Sequence, residues 1–136
     1  MSFGPPRPRP RLTAENRAFW TGGASGKLMI CRCGDCDRWL HPPQPICRHC
    51  WSENVSPQPA SGRGRIDSFT INHQPWMPGL DVPFVIARVA LEEDESIFLT
   101  TNIIGCAPTD VAVDDPVVVN FSEEDGIFFP LFERAG

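Results

Sequence analysis

Four of the six cysteines fall within eighteen residues as two Cys-x-x-Cys pairs. Cys33 and Cys36 flank Gly-Asp, Cys47 and Cys50 flank Arg-His, and ten residues separate the pairs. Two thiolates two residues apart can bind one ion from a single tight turn, and two such turns complete a tetrahedral shell. Cys33, Cys36, Cys47 and Cys50 are therefore expected to hold one zinc ion. A shell of four thiolates leaves no position for water, so this metal is structural rather than catalytic. Four thiolates suit iron as well; the lack of any other redox feature favours zinc. Cys31 could replace Cys33 with a longer first loop, but the two-residue spacing favours Cys33 and assigns Cys31 to the core of the ribbon. His41 and His49 read as surface histidines beside a shell that is already complete.

No local motif elsewhere joins a nucleophile, a base and an orienting acid, and no catalytic residue is expected. Cys106 reads as a small buried hydrophobe. The segment NHQPWMPGLDVP, with His73, Trp76 and Met77, is unusually apolar for a surface connection. It suits contact with a partner better than a plug for the end of a barrel. Phe128, Phe129 and Phe132 exceed what one strand of a small barrel can bury on one face. Trp76, Met77, Phe128, Phe129 and Phe132 are therefore expected to bind a partner, and the aromatic ones to be covered only in the complex.

The elements that must position these residues are short. In 136 residues there are 15 prolines and 11 glycines, which favours a mainly β chain of many turns. The run GPPRPRPRL reads as an extended tail. Thr13 offers an N-cap for a helix over Ala14 to Trp20. The linker PQPASGRG follows the cysteine knuckles. Strands are expected over Arg65 to Asn72, Phe84 to Leu91, Ile97 to Ile103, Val117 to Phe121 and Ile127 to Phe132, enough for a five-stranded barrel. The second alternates Val85, Ala87, Val89 and Leu91 with Phe84, Ile86, Arg88 and Ala90, so one face can be buried throughout. The run Glu92 to Glu95 reads as a solvated hairpin tip. The domains are thus a tail and short helix over 1–26, a zinc ribbon over 27–58 and a barrel over 59–136.

Charge divides the chain. Up to Arg65 there are ten basic and four acidic side chains; beyond it, two basic and thirteen acidic. A barrel this acidic is poorly suited to neutralising phosphates, so no nucleic-acid partner is expected. There is no run of 18 apolar residues and no secretory-signal pattern, so the expectation is a cytoplasmic protein without a membrane partner.

The helix ending in Phe19 and Trp20, the GKLMI lead, CGDC, HPPQPICRHC, the segment SGRGRIDSFT, the strand VPFVIARVAL and the closing DDPVVVNF together resemble the DUF35 family over nearly the whole chain. That resemblance implies a rubredoxin-like zinc ribbon followed by an OB-fold. It also implies a noncatalytic accessory subunit or domain that binds and stabilises a thiolase-like aldolase or thiolase acting on acyl-CoA thioesters, including those of steroid side-chain degradation. A hotdog-type hydratase, fused or associated, is a further implied partner. CoA phosphates in such a complex would meet Lys27, Arg32, Arg38 or Arg48 on the basic ribbon, or the partner itself.

Overall fold

The computed structural model describes residues 7–135. Helix α1 spans Arg17–Thr21 and runs into a 3-10 turn, Gly22–Ser25. It starts later than expected. The Asn16 N–H donates to Thr13 Oγ1 at 3.2 Å and the Thr13 N–H to Asn16 Oδ1 at 2.7 Å, so residues 14–16 form a closed turn ahead of the helix. Of the arginine-proline segment, residues 4–6 lie outside the described residues, and residues 7–12 are more engaged than a free tail. Its Arg9 Nη1 donates to the Glu124 and Asp125 carbonyls, both at 3.2 Å, and Leu12 packs on Ile127, Phe129 and Leu131.

Strands β1 (Leu28–Cys33), β2 (Trp39–Leu40) and β3 (Val55–Ala60) form an antiparallel sheet in the order β2-β1-β3. The first half of the expected linker is thus strand. Pro57 and Pro59 lack an N–H, and β3 tolerates them because it lies at the sheet edge. The two faces of β1 have different tasks. Leu28 and Ile30 join the main core with Phe19 and the barrel, whereas Cys31 and Cys33 pack with Leu40 and Cys47 inside the ribbon.

Strands β4 (Arg63–Asn72), β5 (Phe84–Leu91), β6 (Phe98–Ile104), β7 (Pro116–Glu124) and β8 (Ile127–Arg134) close a barrel in the order β4-β5-β6-β8-β7. β4 reaches both neighbours by curling: Gly64 faces Leu91 on β5 and Val117 on β7. A Cβ at Gly64 would lie 2.4 Å from the Ala90 carbonyl oxygen, so this crossing requires glycine. A bulge between Ile66 and Ser68 turns Asp67 outward, where it pairs with Arg88 at 3.0 Å. The five expected strands are present; Phe84–Leu91 has the expected bounds and the other four differ by one to three residues at one or both ends. Val85, Ala87, Val89 and Leu91 all point inward, as their alternation predicts.

The barrel is filled by Ile66, Val89, Ile97, Leu99, Val117 and Phe132. Phe132 is fully buried, and Phe129 is buried against Trp20 with ring centroids 5.5 Å apart. The expectation that these two rings are covered only by a partner is therefore corrected. The chain covers them itself, because β8 turns Phe132 into the barrel while α1 lies over Phe129 on the opposite face. Phe128 is half-buried beside the 3-10 turn, where Gly23 comes so close that a Cβ would sit 2.5 Å from the Phe128 Cβ. The acidic hairpin tip is also more than solvated surface. Glu93 accepts from the Ser61 N–H at the ribbon–barrel junction, and Asp94 accepts from the Ser96 N–H and hydroxyl at 2.9 and 2.7 Å, which holds the Asp94 carboxyl below its ordinary range.

Candidate metal centre and apolar cleft

The two knuckles are built alike. In each, the residue after the second cysteine takes a left-handed conformation, φ 65° at both Asp37 and Trp51. Its N–H closes back on the carbonyl of the first cysteine, Asp37 to Cys33 at 2.9 Å and Trp51 to Cys47 at 2.8 Å. The first cysteine's own N–H then bonds one residue further on, Cys33 to Arg38 and Cys47 to Ser52. Inside each turn, backbone N–H groups aim at sulfur. Asp35 and Cys36 donate to Cys33 Sγ at 3.4 Å, and His49 donates to Cys47 Sγ at 3.3 Å. Such donors favour the thiolate, and the Cys36 N–H leads in bringing the Cys33 thiol down to about 7.

The knuckles face one another. The four sulfurs lie within 4.8 Å, with Cys33 to Cys50 at 3.6 Å and Cys36 to Cys47 at 3.7 Å. Tetrahedral zinc with Zn–S bonds of about 2.3 Å sets sulfurs about 3.8 Å apart, so the cluster already has the dimensions of a zinc site. Among the described residues this is the one group of three or more His, Cys, Asp or Glu close enough to hold an ion. Asp35 of the first knuckle locks it to the second by accepting from the Ser52 hydroxyl and, at 3.3 Å, from Asn54 Nδ2.

The other candidates lie elsewhere. Cys31 is buried in the ribbon, and burial raises its thiol above the usual range. Cys106 packs at the margin of the main core. His49 is exposed and shares Nδ1 with Arg38 Nη1 at 3.0 Å. His41 is not a surface histidine as expected. It stacks against Phe19 with ring centroids 5.1 Å apart, its Nδ1 is buried without a partner, and burial lowers its pKa to about 4.

A second site escapes any single motif. A cleft of about 670 Å³ lies against β6, between α1, the loop of residues 73–83 and β8. It exists because β6 and β8 pair only at Ile103–Phe132 and Ile104–Glu133. Beyond that short ladder, the Thr101 hydroxyl spans the seam to the Pro130 carbonyl at 2.7 Å. Phe19, Trp20, Ile86, Leu99, Phe129 and Leu131 make the wall apolar. Met77 and Leu80 close one side, while Trp76 points away and is 74% exposed, tied by its Nε1 to Asn72 Oδ1 at 2.8 Å. Trp76 therefore does not plug the barrel. His73 on the same loop is exposed. No short window of sequence contains this cleft, because its walls come from five separated segments.

A two-knuckle ribbon with a structural zinc, joined to a closed five-stranded barrel whose first strand pairs with both its second and its fourth, defines a rubredoxin-like zinc ribbon followed by an OB-fold. Two family models match, the rubredoxin-like zinc ribbon domain of ChsH2 over residues 20–56 and the C-terminal OB-fold domain of ChsH2 over residues 57–122. The chain belongs to the DUF35 family. It is 30% identical over 103 residues to a DUF35 domain-containing scaffold protein of Methanothermobacter thermautotrophicus, covering 71% of this chain and 76% of that one. It is 37% identical over 131 residues to a probable enoyl-CoA hydratase alpha subunit of Thermomonospora curvata, covering 95% of this chain and 40% of the relative. It is also 37% identical over 109 residues to the 3-oxo-4,17-pregnadiene-20-carboxyl-CoA hydratase alpha subunit of Mycobacterium tuberculosis, covering 80% and 34%. The chain thus spans well under half the length of either hydratase subunit. Among solved structures, a chain of the Ltp2-ChsH2(DUF35) aldolase superposes with a TM-score of 0.81 at 35% identity, covering 94% of this chain and all of that one. No helix is long and apolar enough to cross a membrane among the described residues.

Proposed function

We propose that this chain is a noncatalytic accessory subunit or domain that binds and stabilises a thiolase-like aldolase or thiolase acting on acyl-CoA thioesters, those of steroid side-chain degradation among them. The observation that carries this reading is the superposition over the full length of the DUF35 chain of an aldolase. The relatives named as CoA hydratase subunits point to the same substrate class. Their greater length leaves room for a hotdog-type hydratase as a fused or associated second partner.

Cys33, Cys36, Cys47 and Cys50 ligate the zinc, which holds the ribbon in shape and takes no part in bond making. Trp76 and Met77 are the contact residues best placed for the enzyme partner, since both are exposed on an apolar loop, with exposed Val82 beside them. Phe128 is half-available; Phe129 and Phe132 are committed to the fold. Lys27 and Arg48, exposed on the basic ribbon, meet the CoA phosphates, whereas Arg32 is stacked on Trp39 and Arg38 is bonded to His49. Replacing Lys27 and Arg48 by Gln is expected to weaken acyl-CoA binding by the complex, and unchanged affinity rejects that role.

The test is a tagged pull-down from the native cytosol, with copurifying proteins identified by mass spectrometry and the complex sized in solution. A thiolase-like protein in fixed ratio supports the reading. Recovery of nucleic acid, or of this chain alone as a stable monomer, overturns it.

A further inference from the structure

The apolar cleft has a chemistry that an accessory role leaves unused. Its volume of about 670 Å³ lies within the roughly 300–1,000 Å³ of small-molecule sites, which combine an apolar wall with a few convergent polar groups. Here the wall carries one cation. The Arg7 guanidinium lies 5.7 Å from the centroid of the Phe129 ring, and its Nε is buried without a hydrogen-bond partner. The Arg7 N–H is anchored by Glu124 Oε1 at 3.2 Å, so backbone bonding fixes the position of the residue while that side-chain donor is left over. An unmet buried donor is destabilising, more so on a charged group, so the Arg7 side chain retains hydrogen-bonding capacity for a ligand at this wall. Burial also works against the charge on the guanidinium, an effect that Glu124 opposes. The other charged lining residue, Asp81, is exposed on the loop side.

We propose that this cleft binds an amphipathic carboxylate, with an apolar body against Trp20, Ile86 and Leu131 and a carboxylate that pairs with the Arg7 guanidinium. A straight hydrocarbon chain and a fused-ring body share this chemistry, and the choice of probe separates them.

The test is calorimetric titration of the zinc-loaded full chain with dodecanoate and, separately, with deoxycholate, each below its micelle-forming concentration. Saturable one-to-one binding of at least one is expected, and the tighter of the two identifies the body. Arg7→Met is expected to weaken that binding about tenfold by removing both the donor and the charge, and Ile86→Glu to abolish it by placing a charge on the wall. Ile86 is 37% exposed on the outer face of β5, so its replacement spares the core. A threefold or greater loss in both variants supports the proposal. Absence of saturable binding to either probe, or a smaller loss in either variant, overturns it. The chain is tested without an enzyme partner, so this result and the pull-down fail independently.

Discussion

Trp20 meets Phe129 edge-on, with ring centroids 5.5 Å apart and planes at 68°, and so fastens α1 to the last strand of the barrel. Trp20 also stands edge-on to Phe19 at 4.9 Å, which continues the aromatic row toward His41. A helix of five residues has no stability of its own; these rings hold it. Trp20→Ala is expected to destabilise the fold by about 2 kcal/mol, less than for a fully buried tryptophan because this one is half-buried. Urea unfolding followed by circular dichroism measures this, and a midpoint equal to that of the unaltered chain refutes it.

Phe132→Ala should cost more, about 4 kcal/mol, because the ring is fully enclosed and leaves a cavity that barrel strands cannot collapse around. A loss below about 1 kcal/mol in the same assay contradicts that placement.

Metal content separates the cysteines. One zinc per chain is expected by elemental analysis, and Cys47→Ser should reduce it severalfold while exposing the ribbon to proteolysis. Cys31→Ser and Cys106→Ser should retain full occupancy. Loss of zinc in Cys31→Ser would transfer a ligand position to that residue.

His41 makes stability depend on pH. Its folded-state pKa is about 4, against an ordinary value of 6.5, so the unfolded chain takes up the proton first as pH falls. The contribution of the neutral ring is present above about pH 6.5 and lost progressively down to about pH 4, by ~1.4 kcal/mol per pH unit and about 3 kcal/mol in all. His41→Phe should flatten that part of the stability curve relative to the unaltered chain. Parallel curves for the two proteins would show that the histidine is not responsible.

Trp76→Ala is expected to leave the melting temperature nearly unchanged, since the ring is largely exposed. It should raise the Kd for a thiolase-like partner at least tenfold. An unaltered Kd would remove Trp76 from the proposed interface.

Much of this molecule was legible in the order of its residues, for physical reasons. Cysteine pairs at two-residue spacing can form only a few structures, and alternation in Phe84–Leu91 leaves one choice of buried face. What escaped was set by distant contacts. The burial of Phe129 depends on α1 returning across β8, more than a hundred residues away in the chain. The strand at Val55–Ala60 was hidden by its prolines, which matter only if the unpaired side is known. His41 looked like surface because nothing near it in sequence announces Phe19 as its neighbour. The cleft draws on Arg7, Trp20, Ile86 and Phe129 at once, and no periodicity links them.

The division of labour along β1, with Leu28 and Ile30 turned to the barrel and Cys31 and Cys33 turned to the knuckles, makes that strand a shared keel for both halves. Withdrawing the ion with a chelator should therefore lower the unfolding temperature recorded in the barrel as well as in the ribbon. Free zinc then becomes a thermodynamic control on a surface that contains no ligand for it.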